Sequence, residues 1–319
     1  MIEIVVCTDK GFIMPTGVMM QSVCENNKKS YVNFHIVCDE SITEKDKEDL
    51  KSVVNKFADK QIFFYIVDGN KFIDLPALDN APVTKAAYYR LELERLLPDS
   101  VDKVLYLDGD IIVRKNLDDL WNTDISKYAL AAVPDQNEAK FEEENYLKVE
   151  HWRGYFNSGV MLVNLKYWKE HNLRKDYYNF IQNYPDRIRL WDQDVLNYVL
   201  NEKKLLIPIR YNFTGGWLLK SRKINTEKYK DQIDNAIKDP VIVHYTPGRK
   251  PWTTYCRQPY KTLFLKYKSQ TIWKDTPLIE NRPLKLRISK FFSGILRKFK
   301  LIPEIPYGKE YLPGLKQLE

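Results

Sequence analysis

Short apolar runs separated by longer amphipathic segments are the main pattern along this chain of 319 residues. Each run has three to six mostly apolar residues and is followed within two residues by a polar or charged side chain, which is typical of a buried strand. The runs lie at residues 4–7, 34–38, 62–67, 104–107, 129–133, 160–163 and 241–243. The pattern predicts a strand at each of these positions.

Helical patterns lie between several of these runs. Thr43 followed by the acidic residues Glu44 and Asp46 is typical of a helix N-terminus. Apolar residues then recur at helical spacing as far as Phe57. The same periodicity is found in residues 83–97, 173–181 and 191–200. Strands that alternate with helices predict an α/β fold with a mainly parallel central sheet flanked by helices, whose ligands bind beyond the carboxyl ends of the strands.

The net charge of +7 lies mostly near the C-terminus. Residues 284–302 contain six Lys and Arg residues and no acid, so the preceding part of the chain is nearly neutral. A nearly neutral domain has no general basic surface, and we therefore expect no nucleic-acid partner. Composition predicts one large domain over residues 1–275 and a basic extension over residues 276–319. Residues 136–154, here called the acidic segment, are interpreted as an insertion with a short helix, either a solvated surface or part of an acceptor site.

The basic extension carries an apolar stripe. Its members follow one another at spacings of one, three or four residues, and they are Leu284, Ile288, Phe291, Phe292, Ile295, Phe299 and Ile302. Flanking Lys and Arg side chains can extend toward lipid phosphates, so we predict peripheral attachment to an anionic membrane surface. The alternative is a helix that packs on the large domain. No apolar run approaches the ~18 residues of a spanning helix, and the expected location is the cytoplasm, at the inner face of the plasma membrane.

The segment 104–113 brings two carboxylates to the end of an apolar strand. Asp108 and Asp110 can converge on one ion if the chain turns at Gly109, which has no Cβ atom to obstruct an approaching phosphate. Carboxylate oxygens are suitable ligands for Mg²⁺ or Mn²⁺. The alternative is an ordinary Asp-Gly turn between two strands.

The surrounding segments resemble glycosyltransferase family 8, the retaining enzymes that include bacterial lipopolysaccharide galactosyl- and glucosyltransferases. The resemblance rests on six segments in the order of the family, which are spread along most of the chain. They are Val5-Val6-Cys7-Thr8-Asp9, Ala87-Tyr88-Tyr89-Arg90-Leu91, Lys103-Val104-Leu105-Tyr106-Leu107-Asp108-Gly109-Asp110, Tyr155-Phe156-Asn157-Ser158-Gly159-Val160, Trp191-Asp192-Gln193-Asp194-Val195-Leu196 and His244-Tyr245-Thr246-Pro247-Gly248-Arg249-Lys250-Pro251-Trp252.

This resemblance implies a nucleotide-sugar-binding fold of the GT-A type over residues 1–275. It also implies transfer of a hexose, galactose or glucose, from a UDP-sugar to a glycan or lipid-linked acceptor. Asp108, Asp110 and His244 would hold the metal ion, which is expected to be Mn²⁺ with Mg²⁺ as the alternative. The metal would neutralise the charge that develops on the leaving diphosphate.

The resemblance also assigns residues to the parts of the donor. Asp9, with the backbone of Cys7 and Thr8 and with Val83 as a wall, would bind the uracil ring, and Lys250 would bind the diphosphate. The alternatives are a turn or cap for Asp9 and a solvated loop for Lys250. The family usually has Gly-Pro where this chain has Pro247-Gly248, so the backbone contacts of that loop are not carried over.

Four polar residues would recognise the hexose by resemblance, and they are Arg90, Asn157, Asp192 and Gln193. Asp192 and Gln193 are the candidate catalytic residues. The neutral Gln193 amide would steady an oxocarbenium-like transition state rather than act as a conventional nucleophile. Arg90 in a structural ion pair and Asp192 as a helix N-cap are the alternatives.

Two other functions fit parts of the pattern. A non-catalytic nucleotide-sugar- or glycan-binding protein would have the same fold, but it has no physical need for this set of polar residues. A sugar-nucleotide pyrophosphorylase normally has a glycine-rich phosphate loop near its first strand. Residues 8–17 of this chain contain only Gly11 and Gly17, which disfavours that alternative.

Overall fold

The computed structural model describes most of residues 1–283 and a few residues beyond them. The described residues are 1–72, 75, 85–218, 228–246, 250–256, 258, 260–280, 282–283, 288, 292–293, 295 and 299. Val83, Pro247 and Gly248 lie outside the described residues, as does most of the basic extension.

A seven-stranded sheet forms the centre of the described part of the chain, in the spatial order β3-β2-β1-β4-β7-β6-β8. Its strands are β1 (Ile2–Cys7), β2 (Val32–Cys38), β3 (Lys60–Ile66), β4 (Lys103–Leu107), β6 (Leu130–Pro134), β7 (Phe156–Asn164) and β8 (Lys204–Leu206). All of them run in one direction except β7, which is antiparallel to both of its neighbours. The predicted α/β fold with a mainly parallel sheet is confirmed.

A second, three-stranded sheet stands beyond the end of β4. It consists of β5 (Ile111–Val113), β9 (Phe213–Thr214) and β10 (Ile242–His244), with β10 in the centre. The sequence pattern did not separate β10 from the strands of the central sheet. β10 is antiparallel to β5 and pairs His244 with Ile111, so the chain brings His244 beside the turn that follows β4.

Helices cover both faces of the central sheet. They are α1 (Ile13–Asn26), α2 (Glu44–Val54), α3 (Leu93–Leu96), α4 (Asp118–Trp121), α5 (Glu138–Glu144), α6 (Leu165–Glu170), α7 (Leu173–Asn183), α8 (Trp191–Val199), α9 (Lys230–Lys238) and α10 (Lys261–Lys268). The predicted start at Thr43 is confirmed, since Thr43 and Asp46 form a capping box at the beginning of α2. Among the described residues, none of the helices has the length and apolar character needed to cross a bilayer.

The helix predictions differ from the structure in two respects. The described part of residues 83–97 forms a 3-10 helix (Lys85–Glu92) followed by the single turn of α3. The helices α4, α6, α9 and α10 were not predicted. The longest described helix, α1, was not predicted either. Eleven of its 14 residues are buried, so the helix has no exposed polar face and gives no clear amphipathic periodicity.

Two apolar clusters lie on opposite faces of the central sheet. In β1, Ile4 and Val6 belong to the cluster under α1 and α2, whereas Val5 belongs to the cluster under α7 and α8. This division follows from the alternation of side chains across a strand. β1 is therefore buried on both faces, as its continuous apolar sequence predicted, whereas the edge strand β3 exposes Phe63 and Ile66.

The segment after α10 folds back on α1. A Cβ atom at Gly17 would lie 2.1 Å from Cζ3 of Trp273, so the indole ring packs directly on the α1 backbone. Only glycine allows this approach without displacing the ring.

Gly17→Ala should lower the free energy of unfolding by about 1–3 kcal/mol, because the added methyl group forces the Trp273 ring aside. In a Trp273→Ala background, the same change should be neutral or stabilising by up to about 1 kcal/mol, since alanine favours helix more than glycine does. Urea denaturation of the wild type, both single variants and the double variant measures this coupling. Additive effects would contradict the contact.

Candidate active site

A cleft of about 370 Å³ opens where β1 and β4 end and β7 begins. All the cofactor-binding residues predicted from the sequence line it, apart from Val83, which lies outside the described residues. These lining residues are Cys7, Thr8, Asp9, Arg90, Asp108, Gly109, Asp110, Asn157, Asp192, Gln193, His244 and Lys250. The fold therefore brings residues from six separate sequence segments into one cleft.

Asp108, Asp110 and His244 form a cluster that could hold a metal ion. His244 Nε2 lies 3.3 Å from Asp110 Oδ1 and 3.7 Å from Asp108 Oδ2. One ligand atom from each of the three residues lies within 4.8 Å of the others. Two carboxylates and an imidazole are a donor set that suits Mn²⁺ or Mg²⁺, so the residues fit the predicted ion.

Two glycines permit this convergence through close packing. A Cβ atom at Gly109 would lie 2.7 Å from Thr16 Oγ1, so this glycine is needed where α1 approaches the turn. A Cβ atom at Gly159 would lie 2.3 Å from His244 Cε1 and 2.7 Å from Asp108 Oδ2. Gly159 therefore leaves the space in which these two side chains meet, and the sequence analysis did not single it out.

Lys250 approaches the cluster from the other side. Its ammonium group forms an ion pair with Asp110 Oδ2 and donates to the Tyr245 carbonyl oxygen at 3.1 Å. Burial opposes ionisation of Asp110, but the Lys250 ammonium outweighs it and holds the pKa of this carboxyl well below its usual range. Asp110 is therefore a permanent anion in the cleft.

Arg90 joins the metal cluster to α8. Its Nη2 donates to Asp108 Oδ1 at 3.0 Å, and its Nη1 lies 3.2 Å from Asp192 Oδ2. Nε and Nη1 also donate to the carbonyl oxygens of Ala87 and Ser158, both at 2.9 Å. Most donors of this buried guanidinium are thus used inside the protein, as the structural ion-pair alternative had it, although Arg90 also lines the cleft.

Asp192 is 4% exposed and accepts from Ser158 Oγ at 2.9 Å. Burial raises the pKa of Asp192 to about 6, although the Arg90 guanidinium acts in the opposite direction. Its carboxylate faces Arg90 and Ser158 and does not cap α8, whose N-cap is Leu190. The N-cap alternative for Asp192 is therefore wrong.

Asp194, rather than Asp192, contacts the backbone at the start of α8. Its Oδ2 accepts from the backbone N–H groups of Arg189 and Leu190, both at 2.6 Å, just before α8 begins. Trp191 at the start of α8 has φ of +48°, a left-handed conformation that is strained for a bulky residue. The Asp194 contacts hold this turn and so orient the residues that follow it.

Gln193 is held at the cleft by β7. Its Oε1 accepts from the Ser158 N–H at 3.0 Å and from Asn157 Nδ2 at 3.2 Å. Asn157 Nδ2 also lies 3.2 Å from Asp135 Oδ2. The side-chain hydrogen-bonding groups of Asn157 are therefore largely occupied within the protein. Sequence reasoning missed Asp135, which carried no signal besides its place after a strand.

Asp9 uses one carboxylate oxygen as a local cap. Its Oδ1 accepts from the Gly11 N–H at 2.8 Å at the start of a short 3-10 helix, as the cap alternative proposed. The neighbouring Thr8 hydroxyl is 3.0 Å from the Thr16 hydroxyl of α1. These contacts order the end of β1 beside the cleft.

The acidic segment contains the predicted short helix, α5, and packs on the rest of the domain through several side-chain contacts. Buried Glu138 contacts Lys228 and the Tyr229 hydroxyl, and the Tyr146 hydroxyl donates to Asp194 Oδ1. It is therefore a packed wall with an acidic outer surface, joined to the turn before α8.

The fold and the cleft define a glycosyltransferase of the GT-A type, and comparison with known proteins leads to the same class. Residues 3–256 match the family described as Glycosyl transferase family 8, and the chain belongs to that family. The resemblance stated from the six sequence segments is thus confirmed.

Individual relatives are similar over most of their length. General stress protein A of Bacillus subtilis (strain 168) is 31% identical over 275 residues, which cover 85% of this chain and 94% of that protein. The lipopolysaccharide 1,3-galactosyltransferase of Salmonella typhimurium is 29% identical over 278 residues, which cover 85% of this chain and 79% of that protein. The crystal structure of the galactosyltransferase LgtC with donor and acceptor sugar analogs has a TM-score of 0.76 and 26% identity, and the match covers 90% of this chain and 99% of that one.

Arg90→Gln should destabilise the protein by about 3–5 kcal/mol near neutral pH, because it leaves buried carboxylates without their cation. Without Arg90 the pKa of Asp192 rises above about 6. The native state then binds more protons than the unfolded state, so stability falls as the pH rises. The difference in melting temperature from wild type should therefore be larger at pH 8 than at pH 5.5.

Arg189→Gln is the matched control, since Arg189 forms an exposed ion pair with Glu144. Its effect should be below about 1 kcal/mol and nearly independent of pH. A loss of stability in Arg90→Gln that is equally small, or that is the same at the two pH values, would contradict the role given to Arg90.

Proposed function

We propose that the protein transfers a hexose, galactose or glucose, from a UDP-sugar to a glycan or glycolipid acceptor with retention of the anomeric configuration, in a metal-dependent reaction. The observation that carries this proposal is the presence of Asp108, Asp110 and His244 in the same cleft as Asp192 and Gln193. Transfer from a sugar diphosphate needs a cation to stabilise the leaving diphosphate and polar groups to bind the sugar, and this cleft has residues for both.

The diphosphate end of the donor would bind at the metal cluster. The cation, when bound, supplies positive charge to the diphosphate as the bond to the sugar breaks. Lys250 is within reach of the same position, because its ammonium already contacts Asp110. Asp9, Cys7 and Thr8 line the cleft at the end of β1, where the Asp9 side chain and the backbone of Cys7 and Thr8 would receive the uracil ring.

The hexose would lie toward α8. The acceptor oxygen replaces the diphosphate oxygen on the anomeric carbon from the same face, and UDP and a proton are released. Gln193 Oε1 is held by the Ser158 N–H, so this neutral amide keeps a fixed position beside the developing positive charge. Asp192 accepts hydrogen bonds from sugar hydroxyls, and Arg90 and Asn157 hold the groups that contact the sugar.

Galactose or glucose as the donor hexose and a lipid-linked glycan as the acceptor are supported by similarity. The relatives include transferases named for lipopolysaccharide galactosyl and glucosyl transfer. We extend those substrate classes to this chain as part of the proposal.

UDP release from a panel of UDP-sugars, with Mn²⁺ or Mg²⁺ present, tests the function directly. One hexose donor should support release, and EDTA should abolish it. Asp110→Asn should lower turnover about a thousandfold or more, since about 4 kcal/mol of transition-state stabilisation corresponds to that factor. The exposed Asp119→Asn on α4 removes the same charge elsewhere and should keep wild-type activity.

Proton NMR of the glycoside product should show an α linkage from an α-linked donor. A β linkage would contradict retention. Tight UDP binding without any turnover would instead favour the non-catalytic alternative, and full activity in EDTA would contradict the metal.

The second part of the proposal is that the basic extension, residues 276–319, attaches the protein to an anionic membrane surface at the cytoplasmic face. The described residues of its apolar stripe are exposed: Ile288 by 47%, Phe292 by 57%, Ile295 by 37% and Phe299 by 69%. Their spacings of four, three and four residues fit one face of a helix, and the Phe299 N–H donates to the Ile295 carbonyl oxygen at 3.1 Å. Each Lys or Arg near an anionic leaflet adds about 1 kcal/mol of attraction.

Full-length protein should float with phosphatidylglycerol vesicles, whereas a chain ending at Asn281 should stay in the soluble fraction. Phosphatidylcholine vesicles are the control for charge, and Phe299→Ser should weaken flotation without changing UDP release. Equal flotation of the full-length and shortened chains would contradict attachment through the extension.

A further inference from the structure

We propose that Asn212 is a positioning residue for metal binding, because it fixes the tautomer of His244 that presents Nε2 to the cation. This inference rests on the metal-dependent transfer proposed above. It concerns a residue outside the predicted site set and outside the residues that line the cleft.

Asn212 reaches His244 through the second sheet. It immediately precedes β9, which runs parallel to β10 and places Thr214 opposite His244. Asn212 is 1% exposed, and its Oδ1 is 2.9 Å from His244 Nδ1. The other ring nitrogen, Nε2, faces Asp108 and Asp110.

A backbone group determines which atom of the Asn212 amide faces the histidine. The Gly159 N–H donates to Asn157 Oδ1 at 3.1 Å, so that atom has to be the oxygen. The Asn212 atom 2.8 Å from the same oxygen has to be the NH₂ group. The remaining Asn212 atom is then the carbonyl oxygen, and His244 Nδ1 has to carry the proton that it accepts.

A second backbone group gives the same orientation independently. The Ser158 N–H donates to Gln193 Oε1, so Asn157 has to direct its NH₂ group toward Gln193. This leaves Asn157 Oδ1 for Gly159 and Asn212, in agreement with the first assignment. Two consecutive N–H groups of β7 thus determine the whole chain of side-chain amides.

The consequence concerns the lone pair of the imidazole. A neutral imidazole has one N–H group and one lone pair, and a metal ligand needs the lone pair toward the ion. With its Nδ1 proton donated to Asn212, His244 keeps the Nε2 lone pair toward the carboxylates. Without Asn212, the proton can move to Nε2 and donate to Asp110, where it competes with the cation. Partners of this kind typically change metal affinity by about 10–100-fold.

Three substitutions separate this role from a merely structural one. Asn212→Ala removes the acceptor for Nδ1–H. Asn212→Asp keeps an acceptor oxygen there but loses the donor to Asn157. Asn27→Ala is the matched control. Asn27 is a buried amide at the end of α1, and its side chain likewise makes one donor and one acceptor contact, both with backbone groups.

Mn²⁺ affinity is measured by electron paramagnetic resonance titration of free Mn²⁺, with and without UDP, and melting temperature is measured in EDTA. We expect Asn212→Ala to weaken Mn²⁺ binding about 10–100-fold and Asn212→Asp to stay within about threefold of wild type. Asn27→Ala should lower the melting temperature and leave Mn²⁺ affinity unchanged.

Wild-type affinity in Asn212→Ala would overturn the inference while leaving the proposed function intact. Equal losses of affinity in the Ala and Asp variants would also overturn it, since only the Asp variant retains the acceptor. A wild-type protein that binds no Mn²⁺ or Mg²⁺, with or without UDP, would overturn the metal dependence and this inference with it.

Discussion

Arg90 connects the two halves of the cleft, because its guanidinium contacts Asp108 and Asp192 at the same time. Asp110 and Asp192 are each only 4% exposed, and like charges repel strongly where water cannot screen them. A cation in the middle of the group offsets this repulsion, and its bonds to two backbone carbonyls keep it there. The 3-10 helix that carries Arg90 therefore has to lie between the end of β4 and the start of α8. The layout of the cleft follows from this one requirement.

Six of the seven strands of the described central sheet could be predicted from the sequence, because each appears as a mostly apolar run. The short strand β8 was not predicted. The observed bounds differ from the predicted runs by a few residues at most. α1 could not be predicted, because a helix that is buried on all sides lacks the periodicity that identifies a surface helix. The pairing of β10 could not be predicted either. A three-residue run does not specify its neighbours, and these depend on how the chain bends after β4.

The candidate site was predictable where residues stand at the end of a strand, as His244 does, or directly after one, as Asp108 does. Side-chain hydrogen bonds between distant segments were not. Asn212 lies in a short irregular stretch with no recognisable spacing, and its importance appears only once β9 is beside β10. Asp192 and Asp194 both stand in the first turn of α8, so spacing alone could not decide which carboxylate accepts the backbone N–H groups before the helix.

β7 is the one strand of the described central sheet that runs against its neighbours, so it begins at the edge where β4 ends. Its first residues supply the N–H groups that orient Gln193 and, through two amides, His244. For the evolution of such an enzyme, this means that the orientation of Gln193 and the orientation of His244 depend on the same first residues of β7. Under the proposed function, we expect a substitution there to change cation binding and sugar binding together. The acidic segment lies outside this strand, and its exposed outer surface can change without disturbing these hydrogen bonds.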